Sequence, residues 1–360
     1  MTGEAKERRM HSLIDTAESL AEVVSILQSQ PRIALDTEAD SLHSYFEKLC
    51  LLQISVPGHD FLVDPLAGQP LQSLFVIFEG KELILHGADY DLRLLRRTGF
   101  SGPTKLFDTM IAARLCGLTE FSLAALIERY FNIQLAKGSQ KANWGRRPLP
   151  PQMVEYAIND SRFLIRLADI FQEELCRLGR WSWFEQSCER AITASAITKE
   201  RDPDQIWRLP GSSELSGRGS AVLRALWHWR DREAQSVDRP AFHILHNEQM
   251  VDAADRFDKG LEIDIQHIRG SRRKRFFEAG EGALASPEEE WPKAIKRPRT
   301  RSTPDWDARF RAFKQKRDAA AAHLQLDPAL IAPKAVLEKL AAEPETACRL
   351  MPWQREALGL

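Results

Sequence analysis

The chain has little of what would place it outside the cell or in a membrane. Its five cysteines, Cys50, Cys116, Cys176, Cys188 and Cys348, are odd in number, far apart and without a C-x-x-C pair. That spacing argues against a disulfide framework and against a zinc site. No apolar run approaches the ~18 residues needed to span a bilayer. The opening MTGEAKERRMHSLIDT carries charges with no apolar stretch behind it and does not read as a secretory signal. The expectation is a protein of the reducing cytoplasm, with no membrane partner. Net charge is lacking too, at -1 over 360 residues, but the balance hides an uneven distribution. From Arg269 to Asp318 fifteen Lys/Arg face eight Asp/Glu, with RRKR at 272–275 and KRPRTR at 296–301. Blocks of this kind suit either a polyanionic partner or a solvated linker.

What is present is a change of pattern along the chain. The first half alternates helix-like and strand-like segments. A helix is predicted over 16–30, capped by Asp15 or Thr16, and a strand over 32–36. Two strands at 48–56 and 60–64 are joined by the turn Pro57-Gly58; a helix at 71–79, a strand at 82–86 and a helix at 89–98 follow. The rest to 178 reads as helical, broken by a polar segment at 137–151, with YAINDSRFLIRLADIF (156–171) as one continuous helix. This is an α/β arrangement, a mixed sheet with helices on its faces. From about 201 the strands stop. SAVLRALWHWRDREAQS (220–236) is amphipathic, with Arg224, Arg230 and Arg232 outside and Leu223 and Trp227 toward a core. A Gly/Ala/Pro/Glu-rich linker leads to DARFRAFKQKRDAAAAHLQL (307–326), whose QKRDAAA loosely echoes HWRDREA.

Acids gather where these elements end. The strand-like Ile33-Ala34-Leu35 delivers Asp36, Glu38 and Asp40 at alternate positions, and side chains at i and i+2 of a strand point the same way. Asp36 and Glu38 would stand side by side, which is unfavourable unless a cation binds them or one takes a proton. Asp89 and Asp91 open the next helix, and Tyr156 and Asp160 lie four apart on one helix face. If the segments converge, the result is four carboxylates without a counter-ion. Oxygen donors of that kind select Mg²⁺ or Mn²⁺ over zinc.

The ordered set D-x-E, an Asp on a later helix, and Y-x-x-x-D resembles the DEDD exonucleases of the tyrosine subclass. DTEADSL (36–42), YFEKLCLLQIS (45–55), LFDTMIAARL (106–115) and ANWGRRPLPPQMVEYAIND (142–160) are similar to ribonuclease D over residues 12 to about 180. LWHWRDREAQSVDRPAFHILHNEQMVDAA (226–254) looks like an HRDC module, and 307–360 like a second, diverged one. The resemblance implies an RNase H-like exonuclease domain at 1–200, an HRDC-like helical domain at 201–285, a linker at 286–305 and a second helical domain at 306–360. It implies 3′-to-5′ hydrolysis of RNA to nucleoside 5′-monophosphates with two Mg²⁺ or Mn²⁺ ions, on tRNA precursors and structured RNA 3′ ends; the oligomeric state is left open, with a monomer favoured. Asp36 would bridge the ions, Glu38 and Asp160 complete the first site, and Asp91 serve the second. Tyr156 would orient the attacking water, and a phenol of pKa near 10 leaves deprotonation to the metal. Asp91 is preferred to Asp89 because the family's acid precedes a leucine. Asp108 reads as a helix cap and His86 as structural. Leu42 is either an apolar wedge under the terminal base or a core leucine. Lys141 and Arg146 are candidate phosphate contacts, with Trp144 either stacking on a base or anchoring the core. A DNA 3′ exonuclease and a catalytically idle RNA-binding scaffold are the rival readings. The modular layout predicts that removal of residues 201–360 weakens RNA binding but spares cleavage of short oligomers.

Overall fold

The computed structural model describes residues 10–136, 138–197, 202–265, 267–293 and 303–360. The basic run at 296–301, residues 294–302 of the expected linker, and Lys137 lie outside the described residues. Strands β1 (Met10–Ile14), β2 (Arg32–Ala39), β3 (Leu49–Val56), β4 (His59–Val63), β5 (Glu82–Leu85) and β6 (Lys105–Asp108) form one mixed sheet in the order β1-β4-β3-β2-β5-β6. β2, β3 and β4 pair antiparallel, β1 lies parallel to β4, and β5 and β6 continue parallel to β2. β3 is buried along its whole length, which explains why LCLLQISV reads as an almost unbroken apolar run. The β3–β4 hairpin turns at Pro57-Gly58, where Gly58 has φ +84°, a value that glycine adopts without the Cβ penalty.

Eight helices accompany the sheet: α1 (Ala17–Gln28), α2 (Gln72–Glu79), α3 (Asp89–Arg97), α4 (Thr109–Leu115), α5 (Leu123–Phe131), α6 (Pro151–Arg162), α7 (Leu164–Arg177) and α8 (Trp181–Ser195). The Thr16 side chain accepts from the Ser19 N–H and starts α1, whose Leu20, Val23 and Leu27 face the core. The expected continuous helix over 156–171 is two helices that meet at Phe163. Each half follows its own surface: α6 packs on β2, β3 and β4, and α7 on α4, β2 and β5. Apolar periodicity runs unbroken through such a junction because no glycine or proline marks it. The edge strands β1 and β6, of five and four residues, were not read as strands from the sequence.

A second compact unit contains residues 40–48 together with the helical region between 202 and 293. Its helices are α9 (Gly217–Ser236), α10 (Ala241–Ile244), α11 (Asn247–Lys259) and α12 (Gly270–Leu284). They close over Trp207, Leu223, Leu226, Trp229, Met250 and Phe276. Trp229 is the fully buried indole of α9, and Trp227 packs, partly buried, against the same core as expected. Gly280 is required where α12 meets α11, since a Cβ there would lie 2.4 Å from the Phe257 ring. Two corrections concern charge. Arg230 is buried and donates to the Leu245 carbonyl (2.9 Å) and Asn247 Oδ1 (2.8 Å) instead of decorating the surface. Within RRKR, Arg272 (3.1 Å) and Arg275 (2.5 Å) pair with the buried Glu233. The segment 40–48 is tied to this unit by Asp238 Oδ1, which accepts the Tyr45 and Phe46 N–H groups at 3.0 Å each.

The last segment repeats the order of α9–α12: a 21-residue α13 (Pro304–Leu324), a four-residue α14 (Pro328–Ile331), then α15 (Lys334–Ala342) and α16 (Pro352–Leu358). It does not stand as a separate domain. Residues 303–360 group with the sheet-containing unit, and Ala321, Ile331, Leu337, Leu340 and Trp353 belong to the same apolar core as the sheet. The Trp353 indole stacks on Trp183 of α8 at 5.1 Å. Arg180 donates to the carbonyls of Leu115 and Leu324, and a Cβ at Gly117 would sit 2.7 Å from the Gln325 carbonyl oxygen. The expectation that 201–360 can be removed is therefore corrected for 303–360, whose apolar residues lie in the core of the sheet-containing unit. Trp353→Ala is expected to destabilise that unit by about 3–5 kcal/mol, read as an earlier midpoint of activity loss in denaturant. A midpoint equal to wild type would contradict the shared core.

Candidate active site

The sheet-containing unit collects its acids at the end of β2. Asp36 and Glu38 project from the same side of the strand, and Asp160 descends on them from α6. One carboxylate oxygen of each lies within 4.8 Å of the others. Asp91 arrives in the first turn of α3 and is almost fully buried. Thr37 holds it, the hydroxyl donating to Asp91 Oδ1 at 2.5 Å with a further backbone bond from Thr37. Asp89 is exposed and paired with Arg93 (2.9 Å), so Asp91 is the acid that faces the others. Asp40 leaves the set. A register shift at Glu38/Ala39 breaks the alternation, and the Asp40 carboxylate accepts the Lys48 N–H at 2.8 Å.

The electrostatics follow from burial and like charge. Asp36 is pushed well above the usual carboxylate range by desolvation first, then by Asp91, Asp160 and Glu38. Glu38 is pushed up to about 9 by burial, then by Asp160 and Asp91. Burial raises Asp160 to about 7, with the Tyr156 hydroxyl opposing and Asp91 adding. Asp91 is raised to about 6 by burial, with the Thr37 bonds opposing. Among the described residues no Lys or Arg enters this balance. An oxygen-only donor set with three converging carboxylates and no internal cation fits a hard divalent ion.

Tyr156 lies one turn before Asp160, where its hydroxyl stabilises that carboxylate as Gln140 stabilises the phenol. Burial and the facing acids hold its pKa above the ordinary tyrosine value, so the phenol stays neutral. Its ring packs against Trp144 at 6.1 Å. Trp144 is 1% exposed in a cluster with Leu51, Met153 and Ile158; the core-anchor alternative holds, and a base cannot stack on it. Arg147 fixes the segment before α6 through Asp64 (2.5 Å) and the Cys50 carbonyl (2.7 Å). Lys141 and Arg146 are exposed on that segment. Leu42 is 42% exposed in the β2–β3 connection, which removes its core-leucine alternative.

Two polar networks set the acids in place. Asp108 caps α4 through the Met110 and Ile111 N–H groups and also accepts from Gly87 and Ala88, immediately before α3. Ser55 joins Ser161 of α6 (2.8 Å) to Asp60 (2.7 Å), and Arg162 closes on Asp60 at 2.8 Å. His86 bonds Thr109 and takes no place among the acids. Thr37 and Gln140 were missed in the sequence. The hydroxyl of Thr37 was hidden inside the D-x-E triplet, and Gln140 lies in a polar segment without periodicity.

A family model described as 3′-5′ exonuclease matches residues 12–176, and one described as HRDC domain matches 220–262. The chain is 32% identical over 267 residues to a ribonuclease D of Sphingobium indicum, covering 73% of this chain and 68% of that protein. It is 33% identical over 301 residues to a ribonuclease D of Zymomonas mobilis, covering 79% and 75%. The fold matches Escherichia coli RNase D with a TM-score of 0.72 at 24% identity, over 95% of this chain and 92% of that one. The catalytic core of RRP6 from Trypanosoma brucei matches with a TM-score of 0.67 at 26% identity, over 78% and 81%.

The raised acids generate a pH signature. In the ion-free protein the folded state keeps protons that the unfolded chain loses above about pH 4, so stability falls as pH rises through the folded values of about 6, 7 and 9. The melting temperature of chelator-treated protein is expected to drop between pH 6 and 9, with a shallower drop for Glu38→Gln. Calorimetric profiles that run parallel for the two proteins would contradict the cluster.

Proposed function

Because the chain belongs to the ribonuclease D family, we propose that it is a 3′-5′ exoribonuclease whose hydrolysis is carried by Asp36, Glu38, Asp91, Asp160 and Tyr156. The observation that carries this reading is the convergence of Asp36 and Glu38 from β2 with Asp160 from α6, with Asp91 of α3 acting on Asp36 and, among the described residues, no cation among them. Asp36, Glu38 and Asp160 would hold one divalent ion, and Asp36 with Asp91 a second, Mg²⁺ or Mn²⁺. When bound, such ions supply a deprotonated water at neutral pH and stabilise the oxygen that leaves the phosphodiester. The protein's own groups position the reactants. Tyr156, neutral and anchored to Asp160, orients the attacking water and does not act as its base. Glu38 stands at the terminal 3′-hydroxyl. Lys141 and Arg146 hold backbone phosphates, which supplies affinity without sequence preference. Attack on the terminal phosphodiester releases a nucleoside 5′-monophosphate and leaves a new 3′-hydroxyl.

The physiological substrates in this reading are tRNA precursors and other structured RNAs with 3′ extensions, handled by a monomer in the cytoplasm. The relatives named ribonuclease D support RNA over DNA. The five cysteines are unbridged, in keeping with a reducing compartment, and no described helix is long and apolar enough to cross a membrane.

Matched single-stranded RNA, single-stranded DNA and 3′-extended tRNA, offered with Mg²⁺, test the assignment. Asp36→Ala and Asp160→Ala are expected to lower single-turnover hydrolysis by at least about 10³-fold with unchanged circular dichroism. Tyr156→Phe is expected to slow it by roughly 10–10²-fold while sparing ion binding. Wild-type rates for either Asp variant, or preferential digestion of the DNA, would refute the proposal.

A further inference from the structure

Among the described residues one fully buried side chain on the floor of the acidic site has no partner for either end of its amide: Gln53, at 0% exposure, with Nε2 and Oε1 both unbonded. A buried amide in that state costs stability, and native proteins rarely carry one without a reason. The strand register supplies the reason. Asp36 on β2 pairs directly with Gln53 on β3, between the pairs Ala34–Ser55 and Glu38–Leu51. Directly opposed residues share a face of the sheet, and this is the face on which α6 lies, since Ser55 reaches Ser161 and Leu51 packs with Ala157 and Ile158.

The opposing group has the complementary lack. Asp91 is held by Thr37 and Asp160 is stabilised by Tyr156, but among the described residues no donor reaches the Asp36 carboxylate. An acceptor without a donor thus faces a donor without an acceptor across one strand pair. Cβ atoms at such positions are about 4.5–5.5 Å apart, and glutamine is one methylene longer than aspartate, so the amide nitrogen can reach the carboxylate by a rotamer change alone.

We propose that Gln53 is a positioning residue for Asp36: its amide N–H donates to the Asp36 carboxylate when that group ligates a divalent ion, and fixes which oxygen faces the ion. The proposal rests on the metal-dependent reading of the site given above. Orienting partners of ligating groups typically change metal affinity by about 10–100-fold when removed. Gln53→Met keeps the length and volume and removes both polar atoms, and Gln53→Leu serves the same purpose should the methionine variant fail to fold.

The test is calorimetric titration of Mn²⁺ into the full chain, beside melting of the chelator-treated proteins and single-turnover hydrolysis of a short RNA. The expected result is ion affinity at least about tenfold weaker in the variant, an ion-free melting temperature at or above wild type, and a reduced rate at saturating ion with unchanged KM for RNA. Equal Mn²⁺ affinity in wild type and variant would overturn the role of Gln53 while leaving the acidic site standing. A wild-type chain that binds no Mn²⁺ would overturn both.

Discussion

Repulsion among carboxylates that share a half-buried floor is the constraint on which the rest of this structure depends. Asp36 and Glu38 on β2 and Asp160 on α6 come within one ion's reach, and burial raises the cost of every charge they carry. Among the described residues no lysine or arginine relieves that cost. The protein relieves it piecemeal, with neutral donors: Thr37 on Asp91 and Tyr156 on Asp160. A built-in cation would have removed the affinity for an external one. Neutral donors orient the acids and leave their demand for positive charge unmet, which is what a site for a divalent ion requires.

Holding like charges together needs a rigid frame, and the fold supplies it with buried polar links as well as apolar packing. Asp108 joins the start of α4 to the loop that begins α3, so one side chain fixes the entry of Asp91. The Ser55–Asp60–Arg162 network and its bond to Ser161 pin α6 over β3 and β4, which sets the height of Asp160 above Asp36. Trp144, closed off from solvent, backs the ring of Tyr156. The C-terminal helices add their apolar faces to the same core through Trp353 and Trp183. The catalytic unit is thus completed by residues that come more than a hundred positions after its last acid.

Much of the site was legible because its chemistry is local in sequence. D-x-E states which side chains share a strand face, and Y-x-x-x-D states which share a helix face. The leucine after Asp91 separated it from Asp89, and the structure shows Asp89 occupied by Arg93. The parts that were not legible depend on pairings between distant segments. The bulge that removes Asp40 from the set appears only when β2 meets β3. Trp144 among basic residues looks the same whether it stacks on a ligand or lies in a core. The edge strands β1 and β6 are fixed by their pairing with β4 and β5, which joins separate segments. The repeat of helix order in α13–α16 was faintly visible as an echo, but the surface against which that segment buries itself was not.

The most direct test of the central claim is calorimetric titration of Mg²⁺ into the wild-type chain at pH 7 in two buffers of different ionisation enthalpy. If carboxyls pushed up toward 7 and 9 must yield their protons to the ion, the apparent heats will differ between buffers by a net proton release, and the difference will shrink when Glu38 is replaced by glutamine. Saturable binding with identical heats in both buffers, or no binding at all, would contradict the account.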